Sequence, residues 1–384
     1  MKKPTLFAHK ARPKLRPGVS VNPAIVRAST LLFDRADDLY NGKYRIYGRM
    51  GSELHDCLEE AFCLLEGGAS CALTPSGKSA NILSLLSFVK SGDHVLISDS
   101  AYGPVRHFAQ NFLTRMGVEV EFFRPEAGTE LVERVRENTS VIALESPGSL
   151  SMEIQDLPAI CAFARKRGIV TVVDNTWSAG LVYHPLALGA DVVTHSATKY
   201  FGGHSDVLYG AVITANKSHG KQVKDTAAVL GNSTSPDDSY TVLRGFRTIT
   251  TRFEKQSATA LALAQWLAGH EKIARLLHPA LPSHPQHERW QRDFSGSGAL
   301  FSFVLKPCRP EQVTALLDRL TLFAKGFSFG GYESLVIHCD PQLDRAFDPD
   351  FGGPLIRVAC GLEDIDDLKA DWAQALADLK LDEA

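Results

Sequence analysis

The chain has 384 residues, 44% of them apolar and 22% charged, with a formal net charge of -3. That length exceeds one ordinary core and predicts two domains of a soluble globular protein. The slight acidic balance gives no reason to expect nucleic acid or anionic membrane as a partner, and no apolar stretch approaches the length that spans a bilayer.

The N-terminus lacks an apolar leader segment, so a cytoplasmic protein is expected. Seven cysteines without paired spacing fit reduced thiols and give no tetrahedral zinc pattern. His284 and His287 are close, but with no third ligand nearby no metal is expected.

Residues 1–50, rich in Pro, Arg and Lys, show little periodicity and predict an extended arm that must pack on something. Next, Leu54, Leu58, Phe62 and Leu65 recur at helical spacing, and Gly67-Gly68 stops the helix. The stretch 74–81 contains Gly77-Lys78-Ser79, which ends like a nucleotide-binding P-loop, but position 72 is alanine where that motif needs glycine. The same physics supports another reading. A Ser-Gly turn opens the helix containing Ile82, Leu85, Leu86 and Val89, and free N–H groups at a helix start bind phosphate.

Residues 93–103 read as a strand ending in a polar turn, with Tyr102 just past its end. Then come a helix over 104–116, a strand over 118–123, a helix over 131–137, a strand over 141–147 and a helix over 157–167. This alternation predicts βαβ units and a mainly parallel sheet, whose ligands bind at the carboxyl ends of the strands. The apolar run 169–176 ends in Asp174, and the run from Asp191 ends in small hydroxyl residues, Lys199 and the pair Gly202-Gly203. A lysine and a carboxylate at strand ends are what pyridoxal phosphate requires: the lysine as covalent anchor, the carboxylate as partner of the pyridinium nitrogen. Ser196 and Thr198, two apart, can point both hydroxyls at one phosphate, or bond local backbone instead.

A strand follows over 207–215, interrupted by Gly210, and a long helical pattern covers 236–270. The expected division is an arm over 1–50, a large domain over 51–244 and a smaller α/β domain over 245–384, with the boundary near Arg244-Gly245. The last has strand signals at 299–305 and 335–338 and helices at 311–320 and 365–376. Arg357 lies on an apolar strand, where it reads as a grip for a substrate carboxylate or as half of a structural salt bridge.

The phrases Asp174-Asn-Thr-Trp177, His195-Ser-Ala-Thr-Lys-Tyr200 and Gly202-Gly-His-Ser-Asp206 resemble the signature of the Cys/Met metabolism family of pyridoxal-phosphate enzymes, in the right order. The resemblance runs over nearly the whole chain. It implies a fold type I, transferase-like α/β architecture, with a mainly parallel seven-stranded sheet domain and a smaller C-terminal domain. It also implies pyridoxal 5'-phosphate as cofactor, an amino-acid substrate, and a homodimer or homotetramer.

The resemblance assigns roles by position. Lys199, Tyr102 and Tyr47 form the catalytic set, and Asp174 partners the ring nitrogen. Ser76, Gly77 and Lys78 cradle the phosphate, aided by Ser196 and Thr198, while Tyr47 and Arg49 reach it from a neighbouring subunit. Tyr102 stacks on the ring, Arg357 and Ser328 hold the substrate carboxylate, and Tyr240 lines the distal pocket. Glu145-Ser-Pro-Gly-Ser-Leu150 lacks the Asn-Pro that follows in most relatives with γ-carbon chemistry, and Ser328-Phe-Gly-Gly-Tyr-Glu-Ser334 is similar to a segment of bacterial cystathionine β-lyases that has tryptophan at position 329. The implied reaction is β-elimination from L-cystathionine, with other cysteine S-conjugates as further substrates. A γ-lyase or γ-synthase of the same fold, or an inactive binding protein that keeps it, are the alternatives.

Overall fold

The computed structural model describes residues 2–347 and 350–382. Seven short strands form the larger sheet: β1 (Ser70–Thr74), β2 (His94–Ser98), β3 (Glu119–Phe123), β4 (Thr139–Glu145), β5 (Val170–Asp174), β6 (Val192–Ser196) and β7 (Gly210–Thr214). Their order is β1-β7-β6-β5-β4-β2-β3, and β7 alone runs opposite to the other six. The central strands are runs of valine, isoleucine and leucine because helices cover both faces, leaving no face for polar residues to alternate onto. Where the apolar runs end, polar residues come into register. Glu145 pairs with Asp174, Asp174 with Thr194, and Ser196 with Gly210. The C-terminal edge of the sheet is therefore a row of polar side chains.

A second sheet comprises β8 (Ile273–Leu277), β9 (Leu300–Leu305), β10 (Ala324–Lys325), β11 (Leu335–His338) and β12 (Leu355–Ala359), in the order β10-β11-β12-β9-β8. Leu300, Val304, Leu335 and Leu355 share one apolar cluster with Leu144, Val173 and Val193 of the larger sheet. The opposite face packs Phe303 and Phe323 against Trp372 of the helix Ile365–Ala377. One continuous core thus fixes the second sheet, and with it Arg357, against the polar edge of the first.

Several local expectations are corrected. The arm is not wholly extended, because it begins with the helix Lys3–His9, which buries Phe7. Seven residues are too few for a periodic signal. The Arg247 guanidinium compensates by donating to the carbonyls of Phe7, Lys10 and Ala11 at 2.5, 2.8 and 2.6 Å. The helix expected over 131–137 is a 3-10 turn at Thr129–Arg134, and the strand expected from 207 starts at Gly210. The segment 104–116 starts as the α-helix Gly103–Phe108 and changes winding twice, to a π-turn and then a 3-10 turn. The helical stretch 236–270 is two helices, Pro236–Phe246 and Ile249–Ala268, with a break at Arg247-Thr248. β1 and the helix Lys217–Val229 were not anticipated. No helix among the described residues is long and apolar enough to cross a membrane.

Candidate active site

Lys199 stands three residues past the end of β6, and its Nζ donates to Ser328 Oγ at 2.8 Å. The Phe329 ring centroid lies 5.2 Å from the same nitrogen. Burial lowers the ammonium from its ordinary value to about 8; the charge of Arg357 pushes the same way and that of Asp174 opposes. A neutral amine is therefore accessible near physiological pH.

The segment from Ser328 to Ser334 crosses from the second sheet to lie on the lysine loop. Gly330 permits this: at φ +77 it fits no ordinary side chain, and a Cβ there would lie 2.8 Å from the Tyr200 nitrogen. Glu333 accepts from the Ser205 hydroxyl at 2.6 Å, and Glu363 accepts from the Ser334 N–H at 2.6 Å and from its hydroxyl at 2.9 Å. The Tyr-Glu-Ser end of the segment is thus its anchor.

Asp174 ends β5, facing the helix Gly77–Leu86. Its Oδ2 accepts from Asn81 Nδ2 at 2.8 Å, and its Oδ1 accepts from the Thr176 N–H at 3.0 Å and hydroxyl at 2.6 Å. The Thr194 hydroxyl in turn donates to Asn81 Oδ1. A carboxylate offers about four acceptor positions. Three donors occupy it and leave room for one more N–H. Asp174, Asn81, Glu145 and Tyr102 together line one cavity, with Val105 and Val172 among its walls. Tyr102 is the residue before the helix Gly103–Phe108, and its backbone N–H donates to Glu145 Oε2 at 2.6 Å.

The helix Gly77–Leu86 is capped by Ser76, whose hydroxyl accepts from the Ser79 N–H at 3.1 Å and whose carbonyl accepts from the Ala80 N–H. The N–H groups of Gly77 and Lys78 find no acceptor among the described residues. Position 77 must be glycine because a Cβ would come within 2.3 Å of the Ser196 side chain. A helix N-terminus with two free donors therefore touches the hydroxyl end of β6, which is an anion site by construction.

Arg357 sits mid-strand in β12, half-buried, with Nη1 donating to the Ser149 carbonyl at 3.1 Å. Among the described residues it forms no ion pair, and its side chain has this one hydrogen bond. Burial lowers its pKa from the ordinary guanidinium value, opposed by the charges of Cys339, Glu145 and Tyr102.

Other expected residues lie elsewhere in the single chain. Tyr47 and Arg49 line an open concavity of about 660 Å³ with Ser52, His55 and Thr234, which shares no residue with the cavity of Asp174. Tyr240 packs, half-buried, against the cluster containing Phe201 and Tyr209. The Thr198 hydroxyl accepts from the Tyr209 N–H at 2.9 Å and donates to its carbonyl at 3.3 Å, so it serves the local backbone. The Lys78 side chain is exposed.

A profile of the Cys/Met metabolism PLP-dependent enzymes matches residues 4–377. The chain belongs to this family. A putative cystathionine β-lyase of Rhizobium johnstonii is 45% identical over 363 residues, which are 93% of this chain and 91% of that protein. The cystathionine β-lyase MetC of Escherichia coli K12 is 42% identical over 366 residues, 92% of each chain. Among solved structures, metB from Corynebacterium glutamicum superposes with a TM-score of 0.92 at 29% identity, covering 99% of both chains. Family membership makes the fold that of the PLP-dependent fold type I enzymes, and the residues present fit that cofactor. The free acceptor position of Asp174 suits a ring N–H, and the free N–H groups of Gly77 and Lys78 suit a phosphate. Sequence reasoning passed over Asn81, Thr176, Glu145 and Glu333 as working parts. The one sequence signal of Asn81 is its place one helical turn beyond Gly77, at the end of the stretch 74–81.

Proposed function

We propose that the protein cleaves the Cβ–S bond of L-cystathionine by β-elimination, giving homocysteine, pyruvate and ammonia with uptake of one water. The observation that carries this reading is the meeting of Lys199, Ser328 and Arg357 where the second sheet's loop crosses the polar strand edge. The names of the relatives, 42–45% identical over nearly the whole chain, support the choice of β- over γ-chemistry.

Ser196 and the N–H groups of Gly77 and Lys78 would hold the cofactor phosphate, Tyr102 would cover the ring, and Asp174 would keep the ring nitrogen protonated. Bound pyridoxal phosphate supplies an electron sink for a carbanion at the substrate Cα. Arg357 grips the α-carboxylate through its free, planar pair of donors. Lys199, neutral once its proton is lost, takes the α-proton and later delivers a proton to the departing sulfur. Ser328 orients the lysine between these two tasks. Phe329, smaller than tryptophan and without its N–H, leaves the pocket open to other cysteine S-conjugates.

The reading includes a homodimer or homotetramer in which Tyr47 and Arg49 complete a neighbour's phosphate site, since in their own chain they line a separate concavity. A reducing, cytoplasmic setting fits the seven free cysteines. The direct test of the assignment is turnover of L-cystathionine by Lys199→Ala: activity should vanish, and appreciable lyase activity in that variant would remove Lys199 from the mechanism.

A further inference from the structure

Two carboxylates, not one, stand side by side at the polar edge. Glu145 at the end of β4 is the register partner of Asp174 and lines the same cavity. Such a placement is costly, because like charges on neighbouring strands repel and burial penalises each. The environment separates their behaviour. Asp174 has three donors, whereas burial and then the charge of Asp174 push the Glu145 carboxyl up to about 8. An apolar residue would fill the space without that cost, so a polar acceptor at this position needs another explanation.

Its partners supply one. Glu145 Oε2 accepts the Tyr102 backbone N–H at 2.6 Å, and the Ser149 side chain lies close enough to oppose the upward push on the carboxyl. The Ser149 carbonyl in turn accepts from Arg357 Nη1 at 3.1 Å, and the Ser149 N–H donates to the Ser100 carbonyl at 3.0 Å. Gly148 lies so close to Ser100 that a Cβ on it would come within 2.5 Å of the Ser100 Cβ. The turn that presents Tyr102 and the loop that anchors Arg357 are therefore strapped together, with Glu145 at the crossing.

We propose that Glu145 is a positioning residue: its side chain sets the ring-covering Tyr102 and the carboxylate-gripping Arg357 relative to one another. The proposal rests on the roles given above to those two residues. It gives one side chain an effect on two binding steps, cofactor through Tyr102 and substrate through Ser149 and Arg357.

The test compares Glu145→Ala, Glu145→Gln, Arg357→Lys and the double variant Glu145→Ala/Arg357→Lys. Fluorescence titration of cofactor-free protein gives the Kd for pyridoxal phosphate, and steady-state kinetics of the loaded enzyme give KM and kcat for L-cystathionine. Glu145→Ala should raise both the Kd and the KM about tenfold, with a smaller change in kcat, as loss of orientation rather than of a reacting group predicts. Glu145→Gln keeps an acceptor for the Tyr102 N–H and should restore both to within about threefold of the parent. In the Arg357→Lys background Glu145→Ala should add little to KM while still raising the Kd, because residues acting through one another are not additive. Unchanged Kd and KM in Glu145→Ala would overturn the proposal, as would a Gln variant as impaired as Ala or full additivity in the double variant. A wild-type KM in Arg357→Lys would instead refute the role of Arg357 itself. Ser149→Ala keeps the carbonyl that Arg357 uses and removes only the hydroxyl, so it tests the strap even if Glu145→Ala does not fold. KM should rise with the Kd unaffected; an unchanged KM would count against the strap.

Discussion

Lys199 of the strand edge and Ser328 of the crossing segment are joined by a hydrogen bond of 2.8 Å, although 129 positions separate them in the chain. The contact ties the position of the reacting amine to the loop that closes over it. Ser328→Ala removes the bond and leaves the amine in the field of the Asp174 carboxylate. We expect kcat to fall about tenfold, with the urea midpoint nearly unchanged, as for loss of one orienting hydrogen bond. Steady-state kinetics beside an unfolding curve check this, and an unaltered kcat would show that the lysine needs no such guide.

The lowered pKa of Lys199 makes a prediction about cofactor capture. Only the neutral amine attacks the cofactor aldehyde, and its fraction grows tenfold per pH unit below the pKa and then levels. With that pKa at about 8, the rate of pyridoxal phosphate capture by cofactor-free protein should rise steeply from pH 6 and flatten above about pH 8. Stopped-flow absorbance measures it. A rate still climbing tenfold per unit between pH 9 and 10 would mean an ordinary, solvated lysine.

The strand-end residues were legible in the sequence because a buried parallel strand is a plain apolar run, and Asp174 and Lys199 break such runs where ligands bind. The Ser-Gly helix start was legible by the same logic. Asn81 was not, because its work is to donate to Asp174 across 93 positions, and no local pattern carries that pairing. The link from Arg357 to Ser149 spans 208 positions and was hidden for the same reason. The arm helix escaped notice because it is held by Arg247 rather than by its own periodicity. Thr198 shows the converse: a hydroxyl at the right spacing turned to the Tyr209 backbone, the competing use open to every threonine.

The separate position of Tyr47 and Arg49 predicts complementation between subunits. Arg49→Ala and Lys199→Ala should each lose most activity as pure proteins. Co-expressed, the two chains form hybrids in which an intact lysine meets an intact arm at one of two sites. Random pairing should restore about a quarter of the parental activity in a dimer. A mixture no more active than its components would place Arg49 outside the neighbour's site.

The measurement that bears most directly on the account is the identity of the products formed from L-cystathionine by the purified protein loaded with pyridoxal phosphate. Pyruvate and homocysteine in equal amounts, with ammonia, are predicted. 2-Oxobutyrate with cysteine would contradict the β-lyase reading and show that Phe329 and the Glu145–Leu150 segment admit attack at the γ-carbon.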